Sequence, residues 1–164
     1  MYTVMFVCTG NTCRSPMAAS ALRKLLSDRN IKGISVISSG TSAVVGNPAT
    51  DNAREAVKIW NADLTDHIAQ QVNEDLIDSA DLILALTPLH CHEINMLSDN
   101  AEDKTYVLKN YPEKGCHGEG VADPIGLPLN EYNKTFIEIG EELGRILPFI
   151  IEEAKNTKKS DKAI

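Results

Sequence analysis

The chain has little aromatic content, no excess of basic charge and no long apolar run. Aromatic residues make up 5% of its 164 residues. No segment approaches the roughly 20 consecutive apolar residues that a membrane-spanning helix requires, and no basic start leads into the apolar core of a secretory signal. A formal net charge of −7 argues against general affinity for nucleic acid or anionic lipid. The sequence therefore predicts a cytoplasmic protein that binds neither membranes nor nucleic acid.

Cysteine is also scarce, with four residues at positions 8, 13, 91 and 116. An even number of cysteines is compatible with disulfides, but nothing in the sequence places the chain in an oxidising compartment. We therefore expect mostly free thiols. Cys8 and Cys13 lie in one short loop, so these two can also form a regulatory pair.

The sequence does contain a regular alternation of short apolar segments and helix-start signals. Its length predicts a single domain over residues 1–155, followed by a polar, flexible tail over residues 156–164. Strands are predicted at residues 2–7, 34–37, 82–86 and 106–108. Strands that alternate with helices favour a parallel sheet with helices on both faces, and such sheets bind ligands at the carboxyl ends of their strands.

Helices are predicted where serine, asparagine or threonine precedes proline, because these residue types suit the N-cap and the first helical position. The three signals are Ser15-Pro16, Asn47-Pro48 and Thr87-Pro88, and a further short helix is predicted over residues 73–79. A last helix is predicted over residues 129–155, with a bend at Pro148. Residues 109–128 contain proline, glycine and few periodic apolar positions, which predicts a long functional loop.

The segment VCTGNTCRSP concentrates residue types that bind an anion. Cys8 ends the first strand, and the loop after it leads into a helix start, so main-chain N–H groups and the helix dipole can converge on one point. Arg14 can donate two parallel hydrogen bonds to a phosphate group. Gly10 permits a turn that larger residues resist, and Asn11 tolerates the left-handed region. Since the pKa of cysteine falls from about 8.5 towards ~4–7 in such a field, Cys8 is predicted to be a nucleophile aimed at phosphorus.

Other phosphate and metal motifs fit the sequence less well. The nucleotide-binding P-loop requires the pattern G-x4-G-K-[ST], and its lysine is missing here. A zinc site at Cys8 and Cys13 lacks a second pair of ligands with the usual spacing. His90, Cys91 and His92 are adjacent on a predicted helix and point in different directions, so we expect a partly exposed helix start there rather than a metal site.

The long loop supplies a candidate general acid, Asp123, within the sequence VADPIG. Pro124 fixes the backbone directly after the carboxylate, and a mobile loop can bring that carboxylate over an anion site. An Asp-Pro pair alone usually marks a turn, so the weight of this pair comes from its place in the loop.

Together these residues resemble the low-molecular-weight protein tyrosine phosphatases. The likeness covers nearly the whole chain and rests on the C-x5-R-S-P loop, SSGTS after the second strand, VGNPA before the next helix, DHIAQQ and the late Asp-Pro. It implies an α/β fold of three layers, α/β/α, with a four-stranded parallel sheet of the flavodoxin-like type. It also implies an enzyme that uses no metal and no organic cofactor.

The resemblance assigns roles to the residues of the loop. Cys8 is the nucleophile that forms a phosphocysteine, Arg14 binds the phosphoryl group and stabilises the transition state, and Asp123 protonates the leaving group and then activates water. Ser15 donates a hydrogen bond to the Cys8 sulfur. The implied phosphate-binding loop consists of Thr9, Gly10, Asn11, Thr12, Cys13, Arg14 and Ser15.

The resemblance also identifies residues that support this loop. Asn11 is expected to be held in a strained conformation by Ser38 and His67. Cys13 matches a neighbour that forms a reversible disulfide with the nucleophile and protects it from further oxidation. The expected partners are phosphorylated proteins, and the expected oligomeric state is a monomer.

The substrate pocket departs from the commonest pattern of the family, in which an apolar loop such as CLGNICRSP and aromatic residues after Asp-Pro accommodate a phenyl ring. Here Thr12 replaces the apolar residue, and Ile125 follows Asp-Pro. The loop CTGNTCRSPMA is similar to that of bacterial protein-arginine phosphatases, and the Thr12 hydroxyl can accept a hydrogen bond from a guanidinium group. Thr12 and Ile125 are therefore the expected specificity residues, and phosphotyrosine and phosphoarginine both stay open as substrates.

Two further functions are weighed as alternatives. Thiol-dependent arsenate reductases share the scaffold, but a loop such as CTGNSCRSQMA carries glutamine where Pro16 stands here, and two more cysteines lie close together after the third strand. In this chain only Cys91 lies in that region, and Cys116 follows 25 residues later. The other alternative is an anion-binding module without catalysis, which the presence of both Cys8 and Asp123 disfavours.

Overall fold

The first apolar segment of the chain forms a central strand of a parallel sheet. β1 (Tyr2–Cys8) pairs with β2 (Ile34–Gly40) on one side and with β3 (Leu82–Ala85) on the other, and β4 (Thr105–Val107) pairs with β3. The computed structural model describes residues 1–161. All pairings are parallel and the strand order is β2-β1-β3-β4, so the expected four-stranded parallel sheet is confirmed.

Helices occupy each connection between strands and follow the last strand. They are α1 (Arg14–Asp28), α2 (Asp51–Ala56), α3 (Glu74–Ser79), α4 (Pro88–Leu97) and α5 (Leu129–Asp161), with short 3₁₀ turns at Val57–Trp60 and Glu102–Lys104. Among the described residues, no helix combines the length and the apolar character needed to cross a membrane.

The side chains of β1 alternate between two apolar layers, as the period of two in a strand requires. Val4 and Phe6 belong to a buried cluster that includes side chains of α1 and α5. Met5 and Val7 belong to a second cluster, which includes Ile77 of α3 and Ile94 of α4. Both faces of the sheet are therefore covered by helices, and the expected three-layer α/β/α architecture is confirmed.

Two of the three expected helix starts lie elsewhere in the structure. The N-cap of α1 is Cys13, which makes no side-chain capping hydrogen bond, and not Ser15. The N-cap of α2 is Thr50, whose side chain accepts from the Ala53 N–H. The expected start at Thr87 is confirmed, since its side chain accepts from the main-chain N–H of the third helical residue. At α1 the Ser15 hydroxyl is used by Cys8 and Asn11. At α2 residues 47–48 pair with residues 68–69, and the helix begins later, at Asp51, with its own cap.

Two elements extend further than the sequence predicts. β2 continues to Gly40, so Ser38 and Ser39 belong to the strand and not to the following loop. The last helix continues to Asp161 with Pro148 inside it, so the expected end at residue 155 is wrong. The last part of the predicted tail, residues 162–164, lies outside the described residues.

The expectation of mostly free thiols is wrong for two of the four cysteines. Cys91 in α4 and Cys116 in the long loop form a disulfide with a Cα–Cα distance of 5.4 Å. Cys8 and Cys13 are free and buried. The sequence separation of 25 residues suggested two unrelated thiols, but the loop after β4 returns across α4 and brings the two sulfurs together. One disulfide thus attaches the loop that carries Asp123 to the helix that follows β3.

Reduction of the Cys91–Cys116 disulfide is expected to lower the free energy of unfolding by about 3 kcal/mol, because the bond closes a loop and restricts the unfolded chain. Denaturant unfolding with and without a thiol reductant measures the difference. Cys116→Ser is the control, since reductant should leave the midpoint of this variant unchanged. Identical midpoints for the wild-type protein in both conditions, with all four thiols titratable after reduction, contradict the prediction.

Candidate active site

The candidate site lies where β1 and β3 end side by side. β1 is followed by the loop into α1, and β3 is followed by Thr87 and the start of α4. The connections after these two strands leave in opposite directions across the sheet, and such switch points form crevices at the carboxyl edge. Cys8 is the last residue of β1, so the topology places its sulfur at the bottom of this crevice.

The loop after Cys8 turns its carbonyl groups away from its own centre. Within residues 8–13, five carbonyl oxygens accept hydrogen bonds at distances of 2.7–3.1 Å. The carbonyl oxygen is named first and its donor second: Cys8 O and Thr41 N, Thr9 O and Ser42 N, Asn11 O and His67 Nε2, Thr12 O and Thr50 N, Cys13 O and Met17 N. Because each peptide unit directs its N–H opposite to its C=O, this arrangement leaves the N–H groups to face inward as a cradle for an anion.

The cradle requires a glycine on the neighbouring strand. A Cβ atom at Gly40 would lie 2.4 Å from the Thr9 carbonyl oxygen and 3.0 Å from the Asn11 nitrogen. Both of these atoms are main-chain atoms, which cannot move aside without deforming the loop. Gly40 therefore allows the end of β2 to touch the loop. This contact explains why the SSGTS segment needs a glycine at this position.

Asn11 holds the loop in its turn through its side chain and its carbonyl. Its φ of 55° lies in the left-handed region, which costs free energy for a residue other than glycine. The Asn11 Nδ2 donates to Ser15 Oγ and Ser38 Oγ, both at 2.9 Å, and its Oδ1 accepts from Gln70 N at 2.9 Å. The structure thus brings Ser38 to Asn11 as expected and adds Gln70, which lies in the DHIAQQ segment but was not singled out.

His67 completes this support from the other side of the loop. Its Nε2 lies 2.7 Å from the Asn11 carbonyl oxygen. A carbonyl oxygen only accepts, so Nε2 carries the hydrogen and donates it. Burial lowers the pKa of His67, and the hydrogen bond to Asn11 opposes that effect. The imidazole is therefore a fixed donor that needs no positive charge to hold the loop.

The Cys8 sulfur has a buried hydroxyl as its direct partner. Its Sγ lies 2.9 Å from Ser15 Oγ, which also lies 3.2 Å from the Ser39 carbonyl oxygen. The Ser15 oxygen additionally accepts from Asn11 Nδ2. The Ser15 hydroxyl has a single hydrogen to donate. When Cys8 is a thiol, Ser15 can donate to the Ser39 carbonyl and accept from the thiol. When Cys8 is a thiolate, Ser15 can donate to the sulfur instead. The site therefore accommodates both protonation states of the sulfur with one hydroxyl rotation.

Burial and polar contacts act on the Cys8 thiol in opposite directions. Burial raises the pKa of Cys8 and is the strongest influence on it, while hydrogen bonds from Ser15, the charge of Arg14 and the Asn11 N–H all lower it. The expectation of a lowered pKa is not met, because desolvation outweighs these contacts. Each of these polar neighbours still favours the thiolate over the thiol.

The Arg14 guanidinium connects the loop to the candidate acid. Its Nη1 donates to the Val121 carbonyl oxygen at 3.0 Å, and its Nη2 lies 3.2 Å from Asp123 Oδ2. Asp123 Oδ1 also accepts from the Ile125 N–H at 3.2 Å, which fixes the turn after the carboxylate. Arg14 is buried, whereas the Asp123 side chain is 41% exposed. The structure thus brings Asp123 to the site across 109 positions of sequence, at its solvent-facing side.

The predicted specificity and redox residues surround this centre. Thr12 is half-buried in the loop, and its Oγ1 lies 3.8 Å from the Cys13 sulfur. Cys13 is buried, and its sulfur lies 3.3 Å from the hydroxyl of Tyr132 in α5. Ile125 is 58% exposed in the turn after Asp123. Tyr132 was not predicted as a neighbour of the loop, because α5 reaches the site only through the tertiary fold.

The expected partly exposed helix start at residues 90–92 is confirmed. His90 and Cys91 are buried, and only His92 is exposed. His90 Nε2 lies 2.8 Å from Thr9 Oγ1 in the loop. In the part of the chain that the structure describes, no group of three or more His, Cys, Asp or Glu side chains is arranged to hold a metal ion.

Comparison with known proteins matches this geometry to a family. A family model described as low molecular weight phosphotyrosine protein phosphatase matches residues 3–160. The chain is 39% identical over 143 residues to the protein-arginine-phosphatase of Bacillus subtilis (strain 168), which covers 87% of this chain and 93% of that relative.

Solved structures agree with this assignment. The low molecular weight protein tyrosine phosphatase from T. tengcongensis superposes with a TM-score of 0.82 at 33% identity, covering 90% of this chain and 99% of that one. A cysteine-to-serine mutant of the YwlE arginine phosphatase, with a phosphorylated active-site serine, superposes with a TM-score of 0.79 at 33% identity over 96% of both chains. From the extent of the family match and these identities, the chain belongs to the low-molecular-weight phosphotyrosine protein phosphatase family of hydrolases.

Proposed function

We propose that this protein removes phosphoryl groups from phosphorylated proteins through a phosphocysteine at Cys8. The observation that carries the proposal is the position of the Cys8 sulfur, 2.9 Å from Ser15 Oγ at the bottom of a loop in which five carbonyl groups are hydrogen-bonded on its outer side. The similar arginine phosphatase mutant carries a phosphorylated serine where its cysteine was replaced. That replacement supports covalent transfer to the residue at the corresponding place here.

In the first step, the Cys8 thiolate attacks the phosphorus of a substrate held by the loop N–H groups and Arg14. A sulfur–phosphorus bond forms as the bond between phosphorus and the leaving group breaks, and Asp123 gives its proton to the leaving nitrogen or oxygen. The guanidinium and the N–H groups stabilise the charge that develops on the equatorial oxygens. The solvent-facing position of Asp123 suits a group that must reach a protein substrate.

In the second step, water releases the phosphoryl group from sulfur. The Asp123 carboxylate takes a proton from the attacking water, the sulfur–phosphorus bond breaks, and inorganic phosphate leaves. Ser15 now donates to the departing Cys8 thiolate, and this hydrogen bond lowers the basicity of the leaving group. The same hydroxyl thus assists both the attack and the departure of the sulfur.

We propose phosphoarginine as the substrate group. Thr12 presents a hydroxyl in the loop, and a hydroxyl can accept a hydrogen bond from the N–H-rich guanidinium of phosphoarginine. The position after Asp-Pro holds Ile125, so the turn carries no aromatic ring to stack on a phenyl group. The similarity to a named protein-arginine-phosphatase over most of both chains supports the same substrate.

Phosphotyrosine is the second candidate. The matching family model carries phosphotyrosine in its description, and the solved structure from T. tengcongensis is named a tyrosine phosphatase. An exposed Ile125 also offers an apolar surface that a phenyl ring can touch. Peptides that carry one or the other phosphorylated residue distinguish the two candidates directly.

Replacement of Ser15 by alanine is expected to raise the pKa of Cys8 by about one unit, because it removes a hydrogen bond to the thiolate worth roughly 1.5 kcal/mol. The midpoint of the pH dependence of Cys8 alkylation should therefore move to higher pH. Ser20→Ala is the matched control, since Ser20 is a buried serine of the same helix that donates to the Met17 carbonyl. An unchanged midpoint in Ser15→Ala contradicts the role of Ser15.

Replacement of Asp123 by asparagine is expected to reduce turnover by about 10²-fold or more for substrates with poor leaving groups, because the leaving group loses its proton donor. The loss should be much smaller for an aryl phosphate with an acidic phenol. Glu119→Gln is the matched control, as an exposed carboxylate of the same loop paired with Lys109. Equal losses for good and poor leaving groups would remove Asp123 from the role of general acid.

Replacement of Thr12 by isoleucine is expected to lower kcat/KM for phosphoarginine peptides relative to phosphotyrosine peptides by about 10-fold, because the acceptor for a charged guanidinium is lost. Thr12→Val, which keeps the shape but not the hydroxyl, should behave in the same way. Thr12→Ser keeps the acceptor and should retain more of the preference than either. If the ratio does not change in Thr12→Ile and Thr12→Val, Thr12 is not the selecting residue.

A further inference from the structure

His90 is a buried residue of the site to which no role has been assigned so far. It lies at the third position of α4, is 2% exposed, and touches a hydroxyl with each ring nitrogen. Its Nε2 lies 2.8 Å from Thr9 Oγ1, and its Nδ1 lies 2.9 Å from Thr87 Oγ1. The imidazole and the two threonines therefore form a series of hydrogen bonds from the start of α4 to the anion-binding loop.

The hydrogen bond between Thr87 and His90 fits one tautomer of the imidazole that directs a donor towards the loop. Thr87 Oγ1 caps α4 and accepts the main-chain N–H of His90 at 3.3 Å. The hydroxyl hydrogen of Thr87 can then be donated to His90 Nδ1. In that tautomer the neutral imidazole carries its hydrogen on Nε2 and donates it to Thr9 Oγ1.

This direction determines what Thr9 can do. In the tautomer with the hydrogen on Nε2, Thr9 Oγ1 accepts from His90, so its own hydrogen remains for a group in the crevice. The Thr9 side chain is exposed, and its main chain is held by the Ser42 N–H, which donates to the Thr9 carbonyl at 2.9 Å. A hydroxyl that donates outward from the loop is suited to an anionic oxygen.

We propose that Thr87 and His90 form a positioning relay that presents the Thr9 hydroxyl hydrogen to a bound phosphoryl oxygen. Thr9 is then a substrate-binding residue, while His90 and Thr87 act only through it. The inference rests on the proposed function, because it takes the phosphoryl group as the ligand of the loop. The relay adds a side-chain donor to the main-chain donors and Arg14.

The surroundings of His90 keep the relay in one state. Burial lowers the pKa of His90 to about 4, the charge of Arg14 lowers it as well, and Glu93 and Asp123 oppose these effects. The imidazole is therefore neutral near pH 7 and retains an acceptor nitrogen for Thr87. A protonated ring would donate from both nitrogens and would reverse the hydroxyl of Thr87.

The start of α4 is itself pressed against the loop that carries the general acid. A Cβ atom at Gly120 would lie 2.8 Å from Thr87 Cγ2. The next residue, Val121, donates its N–H to the Leu86 carbonyl and accepts from Arg14. Thr87 is thus fixed between its own helix and the loop, which limits rotation of its side chain about the Cα–Cβ bond and keeps its oxygen beside His90.

The tautomer of His90 tests the direction of the relay in the wild-type protein. Two-bond ¹H–¹⁵N correlation spectra at pH 7 should show the hydrogen on Nε2 and an unprotonated Nδ1. Cys8→Ser protein, in which no oxidation of the sulfur interferes, should give the same pattern. A hydrogen on Nδ1 overturns the proposal, because the Thr9 hydroxyl would then have to donate to His90.

Binding of inorganic phosphate tests the consequence without relying on turnover. Calorimetric titration should show Kd raised by about 10-fold in Thr9→Val, because a hydrogen bond to a charged oxygen is lost. Thr9→Ser, which restores a hydroxyl, should bind phosphate more tightly than Thr9→Val. His90→Leu should weaken binding by several-fold, and His90→Gln should recover part of the loss because its amide can donate to Thr9.

The double variant Thr9→Val/His90→Leu separates a relay from two independent effects. Its Kd for phosphate should match that of Thr9→Val alone, because His90 acts only through Thr9. His92→Leu is the matched control, as the exposed histidine of the same helix. Additive losses in the double variant, or unchanged affinity in Thr9→Val, overturn the proposal. Wild-type protein that binds phosphate but hydrolyses no aryl phosphate overturns the proposed function instead.

Discussion

The outward orientation of the loop carbonyl groups is the interaction on which the rest of the site depends. The carbonyl oxygens of Cys8, Thr9, Asn11 and Thr12 each accept from a donor outside the loop. Without those donors the loop could turn its carbonyl groups inward, and the inward dipoles would repel an anion. The donors come from segments after β2 and from residues 50 and 67, so the shape of the loop is determined by the tertiary fold.

The loop with Asp123 is tied to the same framework at three places. The Cys91–Cys116 disulfide joins it to α4, the Val121 N–H pairs with the residue after β3, and the Val121 carbonyl accepts from Arg14. These attachments all lie before Asp123 in the chain, whereas the following turn has an exposed Ile125. The anchored part positions the carboxylate beside Arg14, and the turn that follows it stays exposed to solvent.

The sequence predicted the features that short-range signals determine. The strand–helix alternation, the Thr87 cap and the C-x5-R-S-P loop each depend on residues that are close in the chain, and the structure has all three. It did not predict that His90 is buried or that Cys91 meets Cys116, because both follow from how the loop after β4 returns over α4. Sequence spacing carries no information about such a return.

The misplaced cap of α1 shows why local rules fail at a functional site. Ser15 followed by proline is a favourable N-cap signal, and an N-cap hydroxyl contributes about 1 kcal/mol to helix stability. The structure starts the helix at Arg14 with Cys13 as an N-cap that makes no side-chain bond, and it uses the Ser15 hydroxyl for Cys8 and Asn11. The first turn of α1 consequently has no side-chain cap, and an uncapped helix N-terminus favours an anion. The hydroxyl that would stabilise the helix locally is used instead to hold the loop in its turn.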